Sequence, residues 1–172
     1  MKRLEGIKQK YENFAEEHPV AATLGETAVL YAARYGIQKA GKKLGVPLGH
    51  GRSGPGLRQD LIEKHPHLAA AAATVIAPIT EELLFRELPA RKLEEKGYDK
   101  DSTRSKRVKL GMAAAFAVGH AGPHAIPLPQ FIGGLHYSRL HEKRGLKHSI
   151  LAHVTNNTLA ALQYGLEKKG RK

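Results

Sequence analysis

An apolar, alanine-rich run at residues 68–79 leads directly into two adjacent carboxylates, Glu81 and Glu82, with Arg86 four residues beyond the second. The run has no strand alternation, and its spacing predicts a helix. On a helix, Glu82 and Arg86 share a face and can pair. Glu81 falls on a different face, in line with Ala77, Pro78, Leu84, Phe85 and Leu88. A carboxylate set into an apolar stripe has to be paired, hydrogen-bonded or neutralised by protonation. Functional sites are built from such groups. The fold must therefore bring partners to Glu81.

At 172 residues the chain supports one domain with a real core rather than two. Its formal net charge of +12 favours anionic partners, whether nucleic acid, acidic lipid head groups or acidic peptides. A nucleic-acid-binding protein would present a Lys/Arg stripe on one helix. Here the basic residues are scattered among loops and termini, so no nucleic-acid partner is expected. There is no cysteine, which excludes disulfides and thiolate chemistry. The N-terminus carries Glu5, Glu12, Glu16 and Glu17 and has no continuous apolar core, unlike a secretory signal.

A membrane span needs about 20 predominantly apolar residues. Residues 68–79, 110–121 and 150–161 each fall short, and the last carries His153, Asn156 and Asn157. Segments 39–43, 91–109, 139–147 and 167–172 are all basic, so Lys and Arg do not alternate along the chain as successive crossings require. On the residues alone, a soluble or membrane-surface helical protein is as well supported as a polytopic one.

The chain reads as an all-α bundle of about five to six helices, with a polar site between the core helices. Residues 1–17 form an amphipathic helix through Leu4, Ile7, Tyr11 and Phe14, suited to packing on the body or lying on a membrane surface. A second helix, 20–42, shows Leu24, Ala28, Tyr31 and Tyr35 at helical spacing. Residues 45–56 hold five glycines and two prolines and lack the Gly-Lys-Ser/Thr of a P-loop. Residues 1–60 are thus expected to form a helical hairpin and loop, and 61–172 the functional core. From 66 the chain is helical for some thirty residues, with a kink at Pro78 and a stop at Gly97. A basic linker, 97–107, precedes helices at 108–120, 130–143 and 147–168. Gly133 and Gly134 suit close helix approach.

Polar residues recur on stripes expected to be buried. His120 follows Phe116 on the small-residue face of its helix, and His153 and Asn157 lie among Leu146, Ile150 and Ala160. Each has a bland explanation alone: a core histidine bonded to a carbonyl, a structural Glu82–Arg86 pair, an asparagine tying two helices. Burying four such groups separately is costly, whereas convergence satisfies them mutually. If Glu81, His120, His153 and Asn157 converge, Glu81 can act as general base on water with His120 sharing the proton. His153 and Asn157 can donate to a developing oxyanion. Glu81, His120 and His153 are alternatively acceptable zinc ligands. The HExxH signature is absent, since His141-Glu142 lacks the second histidine.

These residues resemble the motifs of the CAAX-protease and bacteriocin-processing family (CPBP, or Abi), which includes the endopeptidases that trim prenylated CAAX proteins. Glu81-Glu82-Leu-Leu-Phe-Arg86 is similar to its EExxxR, Phe116-Ala-Val-Gly-His120 to its FxxxH, and His153-Val-Thr-Asn-Asn157 to its HxxxN. The resemblance covers about residues 66–165 and implies a glutamate-dependent intramembrane endopeptidase acting on a peptide or protein. It implies that Glu81 and His120 activate water and that His153 and Asn157 stabilise the oxyanion. Glu82, Arg86 and Phe116 would support them. It leaves open a divalent metal such as zinc on Glu81, His120 and His153. It also implies a cytoplasmic-membrane location with lipid around the helices. A mean hydropathy of −0.40 keeps a soluble or peripheral form as the alternative. Glu87 stands where the family usually has glycine, and His124 adds an imidazole near His120. The other functional alternative is a non-catalytic member acting in bacteriocin immunity or as a membrane scaffold.

Overall fold

The computed structural model describes residues 2–48, 64–121 and 125–169. His124 and the Gly-rich segment beyond Leu48 lie outside these residues. Among the described residues there are six helices and no strand, as expected of an all-α bundle. They are α1 (Lys2–Glu17), α2 (Pro19–Lys43), α3 (Pro66–Glu95), α4 (Thr103–Gly119), α5 (Leu128–Arg144) and α6 (Leu146–Lys169).

The third helix continues through Pro78, the position at which a kink was expected. Proline removes an N–H and crowds the carbonyl four residues back. The backbone answers by widening: Ala72–Ile76 and Leu83–Glu87 are π-helical turns, each just ahead of a proline, Pro78 and Pro89. The α-helical turn between them, Ala77–Glu82, presents the two carboxylates. At about 1.5 Å per residue, the 30 residues of α3 exceed the roughly 30 Å of a bilayer core. Its best 18-residue window has a mean hydropathy of 1.6, and only 17% of that window is buried. The apolar run was expected to stop at Glu81; the structure carries the helix past it, with both carboxylates facing imidazole or guanidinium groups of the protein.

The fourth helix starts at Thr103, within the stretch expected to be a linker. The Ser102 hydroxyl accepts from the Ser105 amide at 3.1 Å, and Ser105 Oγ donates to the Asp99 carbonyl at 2.7 Å. This N-cap lets a basic sequence begin a helix early.

Small residues hold the bundle together. A Cβ at Gly134 of α5 would lie 3.2 Å from Ala113 Cα of α4, so the two backbones nearly touch. Gly134→Val is accordingly expected to destabilise the fold by about 1–3 kcal/mol through overpacking, measured as a lower thermal midpoint. Phe116, Tyr137, Leu140 and Ala152 form the buried apolar cluster, with Phe85 packed against it. Much of the remaining interior is polar, including Thr23, Thr27, Arg34, Glu82, Arg86, Ser105, Ser149 and His153. Large apolar side chains point outward instead: Leu68, Ile76, Leu84, Leu110, Val118 and Leu162 are all more than half exposed. Interiors of small and polar residues beneath an apolar exterior are what helix association in lipid uses.

Helix α2 lies against α5 and α6. Arg144 donates to Glu26 at 2.8 Å and to Thr23 at 3.0 Å, and Tyr31 donates to Gln163. Glu26 also accepts a hydrogen bond from Tyr11 of α1. These contacts bring the starts of α2, α4 and α6 and the end of α5 to one end of the bundle, where Lys109 pairs with Glu142. At the other end the Ile126 amide donates to the Pro47 carbonyl at 2.8 Å, just beyond α2. The basic segments 91–109 and 139–147, with eight and four Lys/Arg, thus share one end, against three in 39–43 and Lys168 and Lys169 at the end of α6 at the other. A distribution that fails to alternate along the sequence is asymmetric in space.

Candidate active site

Three of the four expected residues meet. Glu81 Oε1 lies 3.5 Å from His120 Nε2, and Glu81 Oε2 lies 3.5 Å from His153 Nε2. The carboxylate from α3 therefore stands between imidazoles from α4 and α6. Helix geometry explains each arrival. His120 terminates α4, where its Nδ1 donates to the Phe116 carbonyl of the preceding turn at 2.7 Å. That bond fixes the ring and leaves Nε2 for Glu81. Phe116 packs beneath it, with ring centroids 4.3 Å apart.

His153 is held from three sides. Its Nδ1 meets Glu82 Oε1 at 2.9 Å, the Tyr137 ring stacks on it at 4.5 Å, and Phe116 meets it edge-on at 5.5 Å. Glu82 is 0% exposed and lies 3.3 Å from Arg86 Nη1. Arg86 also donates to the Gly134 carbonyl at 3.2 Å and covers the Phe116 ring at 4.7 Å. The expected Glu82–Arg86 pair is present, and Glu82 does more than pair: it orients the histidine whose far nitrogen faces Glu81. The two carboxylates, on different faces, grip opposite nitrogens of one ring.

Glu81 is the more accessible of the two, its side chain 23% exposed, and His120 is 29% exposed. Even so, Glu81 Oε2 is itself buried and, like Glu82 Oε2, accepts no hydrogen bond among the described residues. A buried acceptor without a donor is costly, and functional sites are where such groups are kept. Asn157, one turn beyond His153 on α6, bonds elsewhere. Its amide donates to the Ala73 carbonyl on the first π turn at 3.0 Å, and its Oδ1 accepts from Asn156 at 3.2 Å.

Among the described residues, no three His, Asp or Glu side chains are arranged to hold a metal ion. Two surface pockets, one beside Tyr35 and Gln163 and one beside Lys109 and Arg139, lie away from these residues.

Sequence reasoning missed Tyr137, Arg34 and the Glu87–His141 contact. Glu87 meets His141 Nε2 at 2.8 Å and Arg91 at 2.6 Å, which fastens α3 to α5. Tyr137 could have been found four residues beyond Gly133, on the face of α5 that glycine brings close to its neighbours. The signal for Arg34 was its register with Thr23 and Thr27, the buried face of α2.

A carboxylate flanked by two imidazoles can exchange protons with a bound water, chemistry that hydrolases use. Comparison with known families gives the same class: residues 63–159, more than half of the chain, match the family described as Rce1-like, type II CAAX prenyl endopeptidase. The chain belongs to that CAAX-protease (CPBP) family, whose members are membrane-embedded proteases acting on peptide or protein substrates. No curated protein and no solved structure gives a significant match.

Proposed function

We propose that this chain is an intramembrane endopeptidase in which Glu81 and His120 activate the attacking water, and His153 and Asn157 stabilise the oxyanion. The observation that carries the reading is Glu81, held 3.5 Å from an imidazole on either side with one buried oxygen lacking a donor. Separations of 3.5 Å are one-water or small-shift distances that tighten when substrate binds.

Because Nδ1 of His120 donates to Phe116, its Nε2 is the atom that exchanges a proton with Glu81 or water. Glu81 takes a proton from water as the oxygen attacks the scissile carbonyl carbon. The carbonyl π pair moves onto oxygen, giving a tetrahedral intermediate. Glu82 holds His153 Nδ1, so Nε2 is the atom turned toward that oxyanion, where an N–H would meet it. The Asn157 amide carries a second N–H beyond the one on Ala73. When the C–N bond breaks, the electron pair leaves on nitrogen, and the proton held by Glu81 and His120 passes to the departing amine.

Every proton here moves between side chains of this chain and water. Dialysis against a strong chelator is therefore expected to leave the cleavage rate of a prenylated CAAX peptide within about twofold of the untreated protein, well below the effect of losing a general base. A loss restored by added zinc would make Glu81, His120 and His153 ligands instead.

The fold also supports a membrane location. An ionisable set in the middle of α3 is tolerated in a bilayer when its members face one another. The end carrying 91–109 and 139–147 would face the cytoplasm by the positive-inside rule. The protein is expected in the membrane fraction, extracted by detergent and not by salt. Full recovery in the soluble fraction without detergent would contradict this.

A further inference from the structure

Arg34 lies on α2, outside the residues that match the family, and is only 9% exposed. A buried guanidinium is costly unless it is paired, yet among the described residues no carboxylate forms an ion pair with it. Its partners are neutral. Nη1 donates to Asn156 Oδ1 at 2.7 Å, and Asn156 Nδ2 donates in turn to Asn157 Oδ1 at 3.2 Å. The guanidinium also reaches the Tyr137 hydroxyl, and the Tyr137 ring stacks on His153 at 4.5 Å. Gly133 makes room for it: a Cβ there would fall 2.9 Å from Nη1. One cation thus touches two arms that end on the two expected oxyanion donors.

We propose that Arg34 is a positioning residue for the reaction at Glu81, setting the Asn157 amide through Asn156 and the His153 ring through Tyr137. The proposal rests on the function proposed above. A positive charge behind both donors also favours the negative charge that develops in front of them. This makes α2 part of the catalytic unit, although it carries none of the motif residues.

The arms can be cut separately. Asn156→Asp keeps an oxygen for Arg34 but replaces the N–H that faces Asn157 with a second acceptor. Gly133→Ala meets only the far end of a flexible side chain, so the fold can absorb it by displacing Arg34. Arg34→Met removes the cation, and Arg34→Lys keeps the charge without the fork.

The test uses the full chain in detergent, with a prenylated CAAX peptide as probe and Glu81→Gln as the inactive control. In Arg34→Met, Asn156→Asp and Gly133→Ala, kcat is expected to fall about 10- to 100-fold, as small misplacements of catalytic groups do, with KM changed less than about twofold. Arg34→Lys should recover part of the loss. Thermal midpoints of Asn156→Asp and Gly133→Ala should stay near that of the unsubstituted protein. A second readout needs no turnover: with ¹⁵N-asparagine label, the Asn157 side-chain amide resonances should shift in Arg34→Met and Asn156→Asp. Unshifted resonances, or unchanged kcat in all three variants, overturn the role of Arg34 while leaving Glu81 untouched. Shifted resonances in a protein that cleaves nothing overturn the endopeptidase reading and, with it, the catalytic role of Arg34.

Discussion

Arg86→Met is expected to destabilise the folded protein by about 3–5 kcal/mol, the usual cost of removing one member of a buried ion pair. Glu82 is completely buried and has two charged or polar neighbours, Arg86 at 3.3 Å and His153 at 2.9 Å. Without the guanidinium, its carboxylate keeps only the imidazole. The same substitution removes the donor to the Gly134 carbonyl at 3.2 Å, at the tightest contact between α4 and α5. For a protein of this size the loss corresponds to a fall of roughly 6–20 °C in the thermal midpoint, read by unfolding in detergent. Arg91→Met is the control. Arg91 pairs with Glu87 at the same i,i+4 spacing but is 67% exposed, and exposed pairs contribute only about 0–1 kcal/mol. Equal effects at Arg86 and Arg91 would mean that burial of the first pair does not matter.

His120→Ala should do the opposite: leave the fold in place and remove the chemistry. Its ring is 29% exposed and sits at the end of α4, so truncation opens no internal cavity. Loss of a positioned proton carrier costs about 10²- to 10⁴-fold in rate. The expected result is a kcat lower by that factor, with the thermal midpoint close to that of the unsubstituted protein. A variant that cleaves normally would remove His120 from the mechanism. The contrast expected between Arg86 and His120 follows from their burial.

The candidate site was legible in the sequence because polar residues in apolar stripes are conspicuous at helical spacing. Glu81, His120 and His153 were found that way and lie together. Glu82 was read from its i,i+4 neighbour alone, a local rule that cannot see a histidine 71 residues away. Asn157 was placed by its i,i+4 spacing from His153, which gives a face but not the partner its amide takes. Helix order was also legible, whereas the start of α4 depended on a serine cap inside a basic stretch.

The inward faces were harder. Leu24 and Ala28 of α2 are exposed, and Thr23, Thr27 and Arg34 are buried. The rule that apolar stripes face inward assumes water outside. In a helix bundle surrounded by lipid the apolar stripe loses that meaning, and the small and polar residues mark the interior. The same inversion hid the candidate span in α3, whose apolar run continues through Glu81 and Glu82.

The central claim is that Glu81 activates water for direct attack. Single-turnover cleavage of a prenylated CAAX peptide in H₂¹⁸O tests it most directly, with mass spectrometry of both the product and the Glu81-containing peptide. The account predicts one ¹⁸O in the new carboxyl terminus, no label in Glu81, and no product from Glu81→Gln. Label in the Glu81 carboxyl, or cleavage by Glu81→Gln at the unsubstituted rate, would contradict it.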